Sequence, residues 1–288
     1  MDLRTLESFV AVARERQMTR AASRLGLTQP AVSGQLARLE AELGTSLFHR
    51  TPKGMELTEA GRVFLEHVER ALVDISDGVE ALSELQGLAR GRLAVGGGAT
   101  ATTYLMPPVL SRFHARYPGV HLFVREAGSR AVMSAVLAGE LDLGVVTVSG
   151  EPPPRLTVRP WMEDELVLIV PPGHRLEGRS TFAWGDLQGA QLVLFEAGSA
   201  VRERIDAALA DAGVEPHIVM ELRSIESIQQ MVAQGIGAAF VSRFALGDGG
   251  RGLAPRTGAA ALRRDLAVVH RADRRLSRAA RAFLEEMR

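Results

Sequence analysis

The stretch that most restricts the fold of this chain is AASRLGLTQPAVSGQLARLE, residues 21–40, where two helical patterns meet across a short break. The first pattern places Ala21, Ala22 and Leu25 on one helix face and stops at Gly26, a residue suited to the left-handed turn that ends helices. The small side chains of Ala21 and Ala22 allow a neighbouring helix to cross closely. Two helices joined by so short a turn form a helix-turn-helix.

The second helix of this motif is predicted to begin at Thr28, which can cap it, with Pro30 in the first turn, where a missing N–H costs little. In DNA-binding proteins this helix lies in the major groove, where a glutamine such as Gln29 can pair with adenine. The positions predicted to face outward are Thr28, Gln29, Ser33, Gln35 and Arg38. The alternative is a plain three-helix bundle with a polar outer face.

A short hairpin is predicted after this helix, with strands at residues 47–48 and 55–57 and TPKG as the turn between them. Arg50, Thr51 and Lys53 lie at its tip, where they are suited to contact phosphates or the minor groove. The hairpin would then act as a wing beside the recognition helix. The alternative is a structural hairpin that only closes the small core.

A long helix is predicted from Thr58, a good N-cap residue, to about residue 88. Its apolar residues alternate spacings of three and four, which is the heptad pattern of a coiled coil. They are Leu65, Val68, Leu72, Ile75, Val79 and Leu82. A two-fold dimer through this helix would place two recognition helices about 34 Å apart on one DNA face. The alternative is a helix that packs on its own domain.

Charge is distributed unevenly, although the whole chain is neutral. Residues 14–53 carry seven basic and three acidic side chains, a net charge of +4, whereas residues 54–88 carry two basic and eight acidic ones, a net charge of −6. A basic block beside an acidic helix is typical of a nucleic-acid surface next to a solvated element. Taken alone, the basic block also fits an ordinary solvated face.

Nearly sixty residues, LRTLESFVAVARERQMTRAASRLGLTQPAVSGQLARLEAELGTSLFHRTPKGMELTEAG, resemble the LysR-type family of bacterial transcriptional regulators. The specific parts are the early Phe9, AASRL, TQPAVS, LE.ELG..LF.RT and LTEAG. The resemblance implies an α/β protein with a winged helix-turn-helix, a linker helix and a two-lobed effector domain like the periplasmic binding proteins. The implied bounds are 1–58 for the DNA-binding domain, 59–88 for the linker and 91–288 for the effector domain.

The same resemblance implies which residues contact DNA. In the family, contacts come from the positions of Gln29, Pro30 and Ser33 and from the wing around residues 50–53. Position 34, often basic in relatives, is Gly34 here, so no side chain is available to read a base at that point. The full set of DNA-contact candidates is Arg20, Thr28, Gln29, Pro30, Ser33, Gln35, Arg38, Arg50, Thr51 and Lys53.

Beyond a hinge predicted at GLARGRL, strand-like and helix-like segments alternate. Alternation of this kind predicts open parallel sheets covered by helices. The resemblance implies two such lobes, the first of about 91–161 plus 265–288 and the second of about 162–264.

Ligands of open α/β sheets bind outside the carboxyl ends of the strands, where helix N-termini offer free N–H groups. The segment GGGATATT ends the first strand of the effector domain and begins a helix, so its threonines can hold a carboxylate or phosphate. The effector-site candidates chosen by this logic are Thr100, Thr102, Thr103, Gly128, Ser129, Thr147, Ser199, Arg202 and Ser224. Each serine or threonine also suits a simple helix-capping role.

Several classes of protein are not expected. The chain has no cysteine, no HExxH pair among its seven histidines and no GxSxG segment, so we expect no enzyme, metal site or cofactor. The acidic segment 163–165 is interpreted as a solvated loop before a strand. Without a signal peptide or a run of about 18 apolar residues, a cytoplasmic protein with no membrane partner is expected.

The hypothesis that follows is a DNA-binding transcriptional regulator controlled by a small, anionic co-inducer bound between the lobes. Its expected partners are double-stranded promoter DNA, the effector, a second copy through the linker helix and RNA polymerase; the resemblance implies a homotetramer. One alternative is an architectural DNA-binding protein that needs no ligand. Another is an exported small-molecule binding protein, against which the helix-turn-helix counts.

Overall fold

The computed structural model describes residues 1–52, 54–84, 91–247, 252–255 and 262–288. They form two compact units, Met1–Leu85 and Gln86–Arg288. Within the described ranges, no helix is long and apolar enough to cross a membrane. Lys53 and the predicted end of the linker near residue 88 lie outside the described residues.

The first unit is three helices, a hairpin and a long helix. Its elements are α1 (Leu3–Glu15), α2 (Met18–Leu25), α3 (Gln29–Leu43), β1 (Phe48–Thr51), β2 (Gly54–Leu57) and α4 (Glu59–Glu84). Strands β1 and β2 pair antiparallel, so the predicted hairpin is confirmed, with strands slightly longer than expected.

Local signals set the ends of these helices. Gly26 adopts φ +65° and ends α2, as predicted. The Thr58 hydroxyl accepts a hydrogen bond from the Gly61 N–H at 2.9 Å, so the predicted cap of α4 is confirmed. Thr28 stands at the N-cap position of α3, but its side chain makes no capping hydrogen bond.

The core of the first unit is centred on Phe9, which is fully buried. Its ring centroid lies 5.4 Å from that of Phe48 and 5.3 Å from that of Phe64. Ala21 and Ala22 are buried where α2 packs on α1 and α3. A Cβ at position 61 would collide with the carbonyl oxygen of Leu47, so only glycine allows α4 to begin so close to the wing.

Helix α4 uses the first part of its apolar seam within its own unit. Val68 is buried in the core around Phe9, and Leu65 and Leu72 pack against it half-buried. Ile75 is instead 49% exposed. The predicted coiled-coil seam is therefore wrong for its first half, because those side chains cover the helix-turn-helix. The side chains of Val79 and Leu82 lie outside the described part of the chain.

The second unit alternates strands and helices. Its strands are β3 (Gly91–Gly97), β4 (Val120–Glu126), β5 (Leu143–Thr147), β6 (Leu156–Ile169), β7 (Thr181–Phe182), β8 (Gln191–Phe195), β9 (His217–Leu222), β10 (Ala239–Ser242), β11 (Ala254–Pro255) and β12 (Arg263–Arg271). Its helices are α5 (Met106–Arg116, preceded by a π-helical turn at Ala101–Leu105), α6 (Ser129–Leu137), α7 (Ala200–Asp211), α8 (Ile225–Ala233) and α9 (Arg278–Glu286).

The main sheet has the order β10-β6-β12-β5-β3-β4 and is mixed, not wholly parallel as predicted. Strand β3 pairs parallel with β4 and β5, whereas β12 runs antiparallel to both β5 and β6. Residues 156–165 of β6 pair with β12 and residues 166–169 pair with β10. Strand β6 therefore passes from one lobe to the other.

Apolar clusters mark the two lobes. In the first lobe one cluster joins α5, α9 and β3 around Phe113 and Phe283, and another joins α6 to the sheet around Val136. In the second lobe a separate cluster surrounds Val167 and Phe240. The C-terminal helix packs in the first lobe, as the family resemblance implies.

The acidic segment of β6 is not the solvated loop that we expected. Successive residues of a strand point to opposite faces. Asp164 is fully buried, whereas Glu163 and Glu165 pair at the surface with Arg263 (2.9 Å) and Arg243 (2.7 Å). The loop interpretation is wrong because the strand begins at Leu156, well before the apolar residues that suggested it.

Candidate functional site

A cavity of about 530 Å³ lies between the lobes of the second unit. First-lobe residues that line it lie at or near the ends of β3, β4 and β5, second-lobe residues lie at or near the ends of β8 and β9, and β12 adds Arg264 and Leu266. The predicted candidates that line it are Thr100, Gly128, Ser129, Thr147 and Ser199. The carboxyl ends of β3, β4, β5, β8 and β9 thus meet at one opening, as the topology of open α/β sheets requires.

The other predicted effector residues lie elsewhere. Thr102 donates a hydrogen bond to Glu126 at 3.0 Å, and Thr103 is exposed. The Arg202 guanidinium is buried and donates to Asp206 at 2.8 Å and also to Glu221. The Ser224 hydroxyl caps α8 by accepting from the Ser227 N–H at 3.2 Å. None of these four appears among the described residues that line the cavity.

The floor of the cavity contains an ion pair that sequence reasoning missed. Arg264, 5% exposed, donates through Nε to Oδ2 of the fully buried Asp164 at 2.7 Å. The other carboxylate oxygen, Oδ1, accepts from the Ser242 hydroxyl at 2.7 Å. A buried charge needs such compensation, because desolvation of an unpaired ion costs several kcal/mol.

The same guanidinium reaches two predicted effector residues. Its Nη2 lies 2.7 Å from the Thr100 hydroxyl and its Nη1 lies 3.2 Å from the Thr147 hydroxyl, and both threonines are 5% exposed. The Ser129 hydroxyl beside them accepts from the Thr147 backbone N–H at 3.0 Å. The signal that could have identified the pair is strand alternation, which buries the middle residue of an acidic triplet.

Three helical N-termini meet at the cavity. The first begins at Ala99, ahead of the π-helical turn that leads into α5, and the other two follow the N-cap residues Gly128 of α6 and Ser199 of α7. The first N–H groups of a helix lack intrahelical partners and carry partial positive charge, which favours anions. At the rim, Glu126 is exposed and Glu196 pairs with Arg223 at 2.6 Å.

Two polar bridges join the lobes beside the cavity. Tyr104 donates to Glu226 at 2.9 Å, and Arg130 lies 2.5 Å from Glu203. Burial, together with the bond to Glu226, raises the pKa of Tyr104 from 10.0 to about 12. Because this pKa is raised on folding, the bridge contributes its stability below pH 10 and loses it as the pH rises towards 12.

In the first unit most of the DNA-contact candidates are exposed. Arg20, Thr28, Gln29, Pro30, Arg38 and Arg50 are exposed, and Ser33 and Thr51 are half-buried. Gln35 does not face outward as predicted, because its amide oxygen accepts a hydrogen bond from the buried Ser8 hydroxyl at 2.6 Å. Gly34 is exposed, and a Cβ there would meet no atom within 4 Å. The surface at Gly34 therefore has room for a side chain that the sequence does not supply.

Replacement of Gln29 is the most direct test of base contact by these residues. We expect Gln29→Ala to weaken binding to the specific site by about 1–3 kcal/mol more than binding to random DNA, because the amide can read an adenine edge. Fluorescence anisotropy with both DNAs at several salt concentrations measures the difference. Gln17→Ala, at an exposed glutamine outside the recognition helix, is the control. Equal losses on the two DNAs would limit Gln29 to backbone contact.

Known proteins resemble the chain along its whole length. The helix-turn-helix model of the bacterial lysR regulatory family matches residues 3–62, and the LysR substrate binding domain model matches residues 86–288. A probable RuBisCO transcriptional regulator of Cyanophora paradoxa is 35% identical over 295 residues, which cover 99% of this chain and 90% of the relative.

Solved structures share the fold. Full-length OxyR from Pseudomonas aeruginosa, in a variant form, superposes with a TM-score of 0.73 at 23% identity and covers 100% of this chain and 95% of its own. The Synechocystis CcmR regulatory domain, solved in complex with 2-PG, gives a TM-score of 0.62 at 26% identity over 69% of this chain and 96% of that domain. With both domain models matched in order, the chain belongs to the LysR family: it is a DNA-binding transcriptional regulator with an effector-binding domain, and not an enzyme.

Proposed function

We propose that the cleft between the lobes binds a small organic acid that carries a phosphate or carboxylate, and that this ligand controls transcription. The observation that carries the proposal is the convergence of three helical N-termini and four hydroxyl groups on one cavity of about 530 Å³. Such a cavity is of the size that holds small molecules. Hydroxyls and free N–H groups are donors, so they suit an anion.

We propose carbon assimilation as the regulated process. The support is the family relative named as a probable RuBisCO transcriptional regulator, 35% identical over nearly the whole chain. The CcmR domain, which binds 2-PG, supports the choice of 2-PG as the first ligand to test.

We propose that the DNA-binding form is a dimer through α4, and that two dimers assemble into a tetramer. The supporting observation is Ile75, which projects from α4 with 49% of its surface exposed. An effector that favours one arrangement of the lobes would change the relative placement of the two DNA-binding pairs, since a ligand shifts an equilibrium by its differential affinity.

Replacement of Thr100 tests the proposed effector site. We expect 2-PG to raise the melting temperature of the full-length protein. Thr100→Val should lower its affinity about tenfold or more, because a hydrogen bond to a charged group contributes about 1.5–3 kcal/mol. Isothermal titration calorimetry measures the affinities. The matched control is Thr157→Val, at an exposed threonine on β6 outside the cavity lining.

The outcomes separate the candidate functions. Binding that Thr100→Val weakens and Thr157→Val leaves unchanged supports the effector cleft. If neither 2-PG, inorganic sulfate nor inorganic phosphate binds, the anionic effector is rejected and a ligand-independent architectural role gains weight.

Capture of genomic DNA followed by footprinting tests DNA binding. A protected inverted repeat supports a specific regulator, and binding without a preferred site contradicts it.

A further inference from the structure

The threonine hydroxyls on the cavity floor are restricted in how they can bond. A hydroxyl has one proton to donate and two lone pairs, whereas a guanidinium only donates. Arg264 donates to Thr100 at 2.7 Å and to Thr147 at 3.2 Å, so each hydroxyl oxygen already accepts from a cation. Each hydroxyl proton must therefore point away from Arg264.

Neither proton has an acceptor within the described part of the chain. Among the residues that the structure describes, no carbonyl, carboxylate or hydroxyl accepts from Thr100 or Thr147, although both are 5% exposed and line the cavity. Both hydroxyls open onto the cavity, so an acceptor oxygen of a ligand bound there can take their protons in place of solvent. The unused protons thus indicate a ligand that accepts.

Arg264 itself is held in place by the buried carboxylate of Asp164. Its charge is compensated by Asp164, whose Oδ2 lies 2.6 Å from Nη2, and Asp164 is held in turn by Ser242. The guanidinium is therefore a neutralised, rigid fork and not a free cation for the ligand. Its planar geometry allows contacts to one carboxylate and two hydroxyls at once.

We propose that Arg264 is the positioning residue of the cleft, fixing the hydroxyls of Thr100 and Thr147 as donors so that the cleft selects oxyanions that only accept hydrogen bonds. The proposal rests on the proposed function and names the chemistry by which that site discriminates. A ligand group that donates, such as an ammonium, would meet two hydroxyl protons and a guanidinium. The floor of the cleft would offer such a group no acceptor, because the two carboxylates of the cavity lining, Glu126 and Glu196, lie at the rim.

The test replaces Arg264 by lysine and uses inorganic sulfate, an acceptor with no proton, as the probe. Lysine keeps the positive charge, but its single nitrogen cannot span Asp164 and both threonines. We expect Arg264→Lys to lower sulfate affinity of the full-length protein about tenfold or more, the effect of a lost hydrogen bond to an ion. Titration calorimetry gives the dissociation constants.

Arg263→Lys is the matched control, because Arg263 precedes Arg264 on β12 but pairs with Glu163 at the surface. We expect its sulfate affinity to equal that of the wild type. An Arg264→Lys protein that binds sulfate as tightly as the wild type would overturn the proposal, since charge alone would then suffice. Equal losses in both lysine variants would overturn it as well.

A second variant covers the case in which Arg264→Lys fails to fold. The double replacement Asp164→Asn with Arg264→Gln removes both buried charges together, which leaves no ion unpaired. A tenfold loss of sulfate affinity in this protein supports the positioning role, and unchanged affinity contradicts it. If the wild type binds neither sulfate nor 2-PG, the proposed effector class fails and the positioning role fails with it. If the wild type binds sulfate and the variants bind it equally tightly, only the positioning role fails.

Discussion

Replacing Asp164 by alanine is expected to destabilise the effector domain by about 3–5 kcal/mol, the cost of removing one partner of a buried ion pair. Arg264 would remain 5% exposed with its charge uncompensated, and Ser242 would lose the acceptor that lies 2.7 Å from its hydroxyl. This is a large fraction of the stability of an ordinary domain.

Urea unfolding followed by tryptophan fluorescence measures the loss, because both tryptophans, Trp161 and Trp184, belong to the second unit. Glu163→Ala is the matched control, one residue earlier on β6. Its side chain is 54% exposed and its pair with Arg263 is a surface salt bridge, which contributes about 0–1 kcal/mol. Similar small losses in the two variants would show that Asp164 carries no buried charge.

Replacing Ile75 by aspartate is expected to break the α4 pair, to lower the mass of the assembled protein and to remove most of its affinity for a two-part DNA site. Ile75 is 49% exposed and belongs to no described apolar cluster of its own unit, so a charge there is harmless in the monomer. In a helix pair it would be buried opposite its own copy. Loss of the pair separates the two recognition helices, and the gain from linked binding disappears.

Light scattering gives the mass, and anisotropy gives the DNA affinity. Ile75→Leu, which keeps an apolar side chain at the same place, should retain the wild-type mass. Leu72→Asp is a poor substitute, because Leu72 packs on the core around Phe9 and its replacement would also damage the helix-turn-helix. An Ile75→Asp protein of unchanged mass would place the interface elsewhere.

Features that depend on neighbours along the chain could be predicted from the sequence. Gly26 ends α2 because a left-handed residue is needed after its last turn, and Thr58 caps α4 because its hydroxyl reaches an N–H three residues later. Thr100, Ser129 and Thr147 were found because strand ends and helix starts can be recognised locally and the carboxyl ends of parallel strands meet.

Features that depend on partners distant in the chain could not be predicted from the sequence. Gln35 turns inward because Ser8 on another helix offers a hydroxyl at 2.6 Å, although its own helix position indicates an outward side chain. Val68 and Leu72 have the spacing of a coiled-coil seam, but that spacing is the same whether a helix packs on a partner or on its own domain. Periodicity gives the apolar face of a helix and not what covers it.

The amino-acid sequence by itself determined the family, the helix-turn-helix, the wing and the strand ends that surround the cleft, because each is encoded in local spacing and residue type. Only the tertiary structure decided what occupies the cleft floor. Asp164 and Arg264 lie one hundred residues apart on β6 and β12, and the antiparallel pairing of these strands makes them neighbours. Burial then removes water as the alternative partner, so the two charges must bind each other and the threonines that approach them.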